Sequence, residues 1–170
     1  VGKKNVMEMF LFKDEEWNRY RRVSHFGTFN ANPLCAATGI AYLNVIATGQ
    51  PTEDANRNAR KLRDGMQAKL DQREIPGCVY DSNFSVVHAY LGKCDLQGKC
   101  DRGVCVNAEK ERPSEVGEAL YRNFALHGVK TAARGFDLFL SAVHSEKDLE
   151  RTIQAFGNCL ETMVEEKSLR

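Results

Sequence analysis

The sequence predicts an α+β fold in which a short, mostly antiparallel sheet is covered by helices on one side. The segments with helical or strand-like apolar spacing follow the order two helices, strand, helix, strand, helix, which is typical of this class. The 170 residues have an ordinary globular composition, with 42% apolar and 28% charged residues. We therefore expect a packed core and not a disordered chain.

The first predicted helix extends from Asn32 to Gly49. Asn32 is a preferred N-cap residue, and Pro33 suits the first helical position. Gly49, with Pro51 just beyond it, predicts the stop. The segment is apolar around most of its girth, so we expect this helix to be buried.

The second predicted helix opens at Thr52 and is amphipathic. Its basic residues lie off the apolar stripe, which predicts a helix on the surface that connects the following unit to what precedes it. The residues of the stripe recur at spacings of three and four: Ala55, Ala59, Leu62, Met66 and Leu70.

Two strands and two further helices follow. The alternation from Phe84 to Leu91 predicts a strand with both faces largely covered, and 136–143 alternates in the same way. A helix is expected from Pro113-Ser114 to His127-Gly128. The last helix follows a capping-box pattern at 145–148 and has an apolar stripe, formed by Leu149, Ile153, Phe156, Leu160 and Met163.

Charge, hydropathy and cysteine content exclude several classes of function. The net charge of +1 gives no reason to expect a nucleic-acid partner. The sequence has no apolar run of membrane-spanning length and no secretory pattern at Val1–Val6. Six cysteines are too few for a disulfide scaffold of this size, so reduced thiols are expected. We therefore predict a cytoplasmic protein without membrane contact.

The most informative segment is 25–34, where a Gly27-Thr28 turn leads into the capped start of the first long helix. Such a turn exposes backbone N–H donors and a hydroxyl beside a positive helix end, which suits a phosphate dianion. The alternative is a capped helix entrance that binds nothing, because most capped helix starts have no ligand. The residues alone leave both interpretations open.

Two stretches carry a resemblance to a known family. Gly27-Thr28-Phe29-Asn30-Ala31-Asn32-Pro33, with 2–9 before it and an Ala-rich helix after it, resembles class III pyridoxal-phosphate-dependent aminotransferases. Within them it is most similar to the glutamate-1-semialdehyde aminomutase branch and its β-amino-acid transaminase relatives. The stretch 139–152 resembles the same branch near its C-terminus.

The resemblance implies the C-terminal portion of a fold-type I enzyme. On this basis we expect a remnant of the large cofactor-binding domain at 1–50, a connecting helix at 51–74 and the small α+β domain at 75–170. The family transfers amino groups through a Schiff base between pyridoxal phosphate and a lysine. That lysine lies upstream of the segment matching Gly2-Lys3-Lys4, so this chain alone is expected to be inactive and not to retain the cofactor.

The resemblance also assigns site residues and partners. Gly27 and Thr28 match the turn that contacts the cofactor phosphate of the other subunit, which implies a homodimer and a missing N-terminal part of the enzyme. Arg134 matches an arginine near the substrate carboxylate, and a planar guanidinium suits that task. The alternative for Arg134 is a solvated arginine at a strand entrance.

Two further alternatives remain at this stage. Cys94, Cys100 and Cys105 lie in the loop expected at 93–110, but their spacing differs from that of most structural zinc sites, which favours unpaired thiols. The chain as a whole is alternatively a stand-alone binding or oligomerisation module derived from the family, without catalytic activity.

Overall fold

The computed structural model describes residues 2–81, 84–93, 114–131 and 137–169. It divides into two compact units, the first ending at Val45 and the second beginning at Ile46. No helix in these four ranges is both long and apolar enough to cross a membrane.

The first unit is helical. It contains α1 (Lys4–Met7), a short 3-10 helix (Glu8–Phe10), α2 (Glu15–Tyr20) and α3 (Pro33–Ile46), and none of their residues is buried. The backbone N–H of Val23 donates to the carbonyl of Met9 at 2.9 Å. This bond fixes the chain after α2 beside the 3-10 helix.

The second unit has the α+β architecture that the sequence predicts. Its helices are α4 (Gln50–Asp71), α5 (Ser114–Leu126) and α6 (Glu146–Glu165). Its strands are β1 (Gly77–Tyr80), β2 (Val86–Leu91) and β3 (Asp137–Phe139). They form an antiparallel sheet in the order β1-β2-β3, with Val79 opposite Ala89 and Val87 opposite Leu138.

The core lies between one face of this sheet and the apolar stripes of the three helices. Phe124 of α5 and Phe156 of α6 meet edge to face, with ring centroids 6.1 Å apart. The stripes predicted for α4 and α6 are buried, apart from the partly buried Ile153. The buried apolar residues of the sheet face are Val79, Val87, Ala89, Leu91 and Leu138.

The structure corrects the start of α4 and the end of β3, which stops at Phe139 and not at residue 143, and it adds the strand β1. α4 begins at Gln50, with Gly49 as its N-cap at φ +77° and Pro51 in its first turn. Pro51 therefore starts α4 and is not a stop signal for α3, because proline is well tolerated before the first helical hydrogen bonds form. β1 was not predicted, because its four residues are too few to show an alternating pattern.

Arg63 of α4 is buried, whereas the sequence pattern places it on the solvent face. Its guanidinium Nη1 donates to Asp81 Oδ2 at 2.8 Å, and Asp81 is only 1% exposed. Arg63 also bonds Asp64 through Nε at 2.9 Å. The buried carboxylate that follows β1 determines this position, because a charge without a partner is costly in the interior.

The turn between β3 and α6 is fixed by polar contacts. The buried Asn58 of α4 donates through Nδ2 to the carbonyls of Ser141 and His144, each at 3.1 Å. The predicted capping box of α6 is confirmed, with reciprocal bonds between Ser145 and Asp148. Hydrogen bonds from the Ser145 side chain and backbone hold the pKa of Asp148 below its ordinary value.

We predict that Arg63→Ala destabilises the second unit by about 3 kcal/mol, because it leaves the buried Asp81 carboxylate without its cationic partner. The free energy of unfolding in urea measures this loss. Arg60→Ala is the matched control, since Arg60 lies exposed on the same helix, and its cost should stay within about 0.5 kcal/mol. Equal losses in the two variants would contradict the role given to the Arg63–Asp81 pair.

Candidate functional site

The Gly27-Thr28 pair predicted from the sequence lies in a tight turn just before α3. The backbone N–H of Asn30 donates to the carbonyl of Gly27 at 3.2 Å, which closes the turn. The N–H of Asn32 donates to the carbonyl of Phe29 at 3.1 Å, and Ala31 has a left-handed φ of +58°. We call residues 27–30 the Gly27 turn.

The chain passes from this turn directly into the N-terminus of α3. Asn32 Oδ1 accepts from the backbone N–H groups of Leu34, at 2.9 Å, and Cys35, at 3.2 Å. This confirms Asn32 as the N-cap. The positive end of a 14-residue helix thus lies next to the Gly27 turn.

Thr28 presents its donors to solvent. The residue is exposed, and within the four described ranges neither its backbone N–H nor its hydroxyl forms a hydrogen bond. Gly27 is exposed as well. Two donors beside a helix N-terminus are an arrangement that can bind an anionic oxygen from outside this unit.

The side chain of Asn30 approaches Gly27 closely. A Cβ added there would lie 2.5 Å from Asn30 Oδ1 and 2.7 Å from Asn30 Nδ2. The Asn30 amide therefore covers the face of Gly27 that a side chain would occupy. Any larger residue would displace this amide.

Two residues of the site were not assigned a role from the sequence. Asn30 Nδ2 lies 3.3 Å from His25 Nε2, so the two side chains bridge the ends of the turn. The His25 ring packs edge to face against Phe10, with centroids 5.7 Å apart. The five-residue separation of His25 and Asn30 is compatible with this contact, but a side-chain bridge across a turn has no distinctive sequence pattern.

The expectation that α3 is buried is wrong for this chain. Leu34 is 72% exposed, and Ile40 and Leu43 are each 62% exposed. Cys35 of the same helix is exposed too. A helix that is apolar on all sides is normally covered, so α3 presents an apolar surface suited to contact with another polypeptide.

Two other chemically capable side chains, His88 and Cys159, have structural roles. His88 Nδ1 lies 2.8 Å from Asp137 Oδ1, and its ring stacks on Tyr80 at 4.9 Å, as expected for a packed histidine. Cys159 is buried, which, with a smaller contribution from Glu166, raises the pKa of its thiol to about 12. This thiol is therefore unreactive at neutral pH.

The remaining candidates lie outside the described residues. These are Arg134 and the three loop cysteines, Cys94, Cys100 and Cys105. Among the residues that the structure does describe, no group of three metal-ligating side chains is brought together.

Two relatives that carry the same enzyme name match most of the chain. The glutamate-1-semialdehyde 2,1-aminomutase of Methanopyrus kandleri is 32% identical over 146 residues, covering 84% of this chain and 32% of that protein. The enzyme of the same name from Chloroherpeton thalassium is 26% identical over 162 residues, covering 94% of this chain and 34% of that protein. No protein-family model matches the chain.

Solved structures share the fold. An omega-transaminase from Sphaerobacter thermophilus superposes with a TM-score of 0.66 at 19% identity, over 94% of this chain and 34% of that protein. A transaminase with pyridoxal phosphate (PLP) bound gives a TM-score of 0.64 at 19% identity, over 85% of this chain. The chain spans about a third of the length of these relatives.

Proposed function

The chain is homologous to glutamate-1-semialdehyde 2,1-aminomutases, which belong to the class III pyridoxal-phosphate-dependent aminotransferases, and we therefore propose that it forms the C-terminal part of an enzyme of this family. The observation that carries the proposal is the 32% identity to the Methanopyrus kandleri aminomutase over 84% of the chain. The similarity of the fold to transaminases supports it. The proposed reaction is the transfer of an amino group, by transamination or within one molecule.

Pyridoxal phosphate is the proposed cofactor of the whole enzyme, where it supplies an electron sink at the carbon that bears the amino group. The residues of the Gly27 turn suit its phosphate. The N–H and hydroxyl of Thr28 point to solvent, and the adjoining helix N-terminus favours a dianion. Each charge-assisted bond of this kind contributes about 1.5–3 kcal/mol.

We propose that Gly27 and Thr28 donate to the cofactor phosphate of the partner subunit in a homodimer. The exposure of Gly27 and Thr28 supports this, because exposed donors are accessible to a ligand held by another subunit. The exposed apolar surface of α3, which follows the turn directly, supports burial of this region against another polypeptide.

The chain contributes no lysine to the covalent attachment of the cofactor in this proposal. Lys3 and Lys4 lie at the N-terminus of α1 and are exposed, whereas the lysine that binds the cofactor covalently needs a site enclosed around the reacting carbon. The chain alone should therefore be inactive. Continuous upstream coding sequence that includes a lysine-bearing strand would support this proposal, whereas a start codon at position 1 would favour a stand-alone binding module.

We predict that Thr28→Ala weakens retention of the cofactor by the dimeric enzyme about tenfold or more, because one bond to the dianion is lost. Equilibrium dialysis against pyridoxal phosphate measures the affinity. Thr28→Ser keeps the hydroxyl and should retain the affinity. Unchanged affinity in Thr28→Ala would contradict the phosphate contact.

Arg134 is proposed to bind the carboxylate of the substrate. Its replacement by alanine should raise the KM for amino-acid donors about tenfold or more, because a bidentate, charge-assisted contact is lost. Cofactor affinity should stay unchanged, which separates this role from that of Thr28. Steady-state kinetics that give an unaltered KM would rule out the assignment.

The isolated chain is predicted to self-associate through α3. Sedimentation should show a dimer whose population increases with concentration, because leaving these apolar side chains in water is unfavourable. The double variant Ile40→Lys and Leu43→Lys should shift the chain toward monomer. Glu150→Lys on the exposed face of α6 is the control and should not. A monomeric wild-type chain at all concentrations would contradict this prediction.

A further inference from the structure

We propose that His25 and Asn30 are positioning residues of the Gly27 turn, holding the Thr28 donors in the orientation that binds phosphate. This inference rests on the proposed function, since it concerns the same phosphate contact. It adds two residues that have no role assigned from the sequence and that do not themselves touch the phosphate.

The orientation of the Thr28 donors depends on the shape of the turn. The backbone closes through a single hydrogen bond, from Asn30 N–H to the Gly27 carbonyl. Thr28 lies between these two residues, so its N–H direction depends on how rigidly the turn is closed. One backbone bond at 3.2 Å, in an exposed segment, leaves this direction free to vary.

A side-chain bridge between Asn30 and His25 closes the turn in addition to the backbone bond. The Asn30 amide lies over Gly27, within the space of a missing Cβ, and reaches His25 Nε2 at 3.3 Å. It therefore joins His25, two residues before the turn, to Asn30, the last residue of the turn. Gly27 is needed for this bridge, because a methyl group would push the amide away.

His25 is itself held in place by neighbouring residues. Its ring packs against Phe10 of the 3-10 helix, and the bond between Val23 and Met9 fixes the adjoining backbone. His25 thus anchors the turn to the helical part of the first unit. Preorganised donors bind an anion more tightly than mobile ones, because less conformational freedom is lost on binding.

The bridge has a spectroscopic signature. Asn30 Nδ2 carries only hydrogens, so His25 Nε2 must accept, and the neutral imidazole must carry its proton on Nδ1. Nitrogen-15 NMR of the imidazole distinguishes this tautomer from the Nε2–H form. We expect the Nδ1–H form in the wild-type chain and its loss in Asn30→Ala.

The binding experiment uses the full chain with inorganic phosphate as the probe, following the amide resonance of Thr28 at constant ionic strength. Asn30→Ala and His25→Leu should each weaken phosphate binding about fivefold, as expected for loss of one neutral hydrogen bond. His25→Gln keeps an acceptor and should bind within about twofold of the wild type. Asn18→Ala, which alters a hydrogen-bonded asparagine of α2 outside the turn, is the control and should have no effect.

Each outcome has a distinct meaning. Wild-type binding that is weakened in Asn30→Ala and His25→Leu but kept in His25→Gln supports the inference. Equal binding in all variants, or a His25 tautomer that Asn30→Ala leaves unchanged, overturns the positioning role and leaves the phosphate contact of the proposed function intact. A wild-type Thr28 amide that does not respond to phosphate overturns that contact, and the positioning role with it.

Discussion

The second unit depends on the burial of one face of a very short sheet. Strands of four, six and three residues form too few backbone bonds to be stable by themselves. Their apolar face is covered by the stripes of α4, α5 and α6, which contribute most of the buried core. The sheet and its helices therefore stabilise one another. The polar contacts of Arg63 with Asp81, and of Asn58 with the turn between β3 and α6, fix the position of α4.

In the first unit, by contrast, none of the described helices has a buried apolar face. Its longest helix, α3, is apolar but has no buried residue, and the turn before it presents unpaired donors at Thr28. The exposed apolar surface of α3 is unfavourable in water and is relieved when a polypeptide covers the helix, whereas the solvated donors of the turn are available to bind an anion. The function proposed above gives both features a common explanation, in which this region contacts a second subunit and its cofactor.

The sequence predicted those parts of the fold that have a strong period or a strong cap. The stripes of α4 and α6, the Asn32 cap and the Ser145–Asp148 capping box were all found where expected. It missed β1, which is too short to show a period, and the burial of Arg63, which depends on Asp81, eighteen residues away in sequence. Periodicity reports which side chains are apolar, whereas burial of a charge depends on a partner brought close by the fold. The Gly27 turn was predicted as a segment, but its bridge from His25 to Asn30 arises only from three-dimensional geometry.

The central claim is that the Gly27 turn binds the phosphate of a cofactor held by another subunit. A crystal structure of the assembled enzyme with pyridoxal phosphate tests it most directly. The account predicts the Thr28 N–H and hydroxyl oxygen within about 3 Å of phosphate oxygens whose cofactor is attached to the other subunit. A phosphate bound entirely by its own subunit, with Thr28 facing solvent or packed elsewhere, would contradict it.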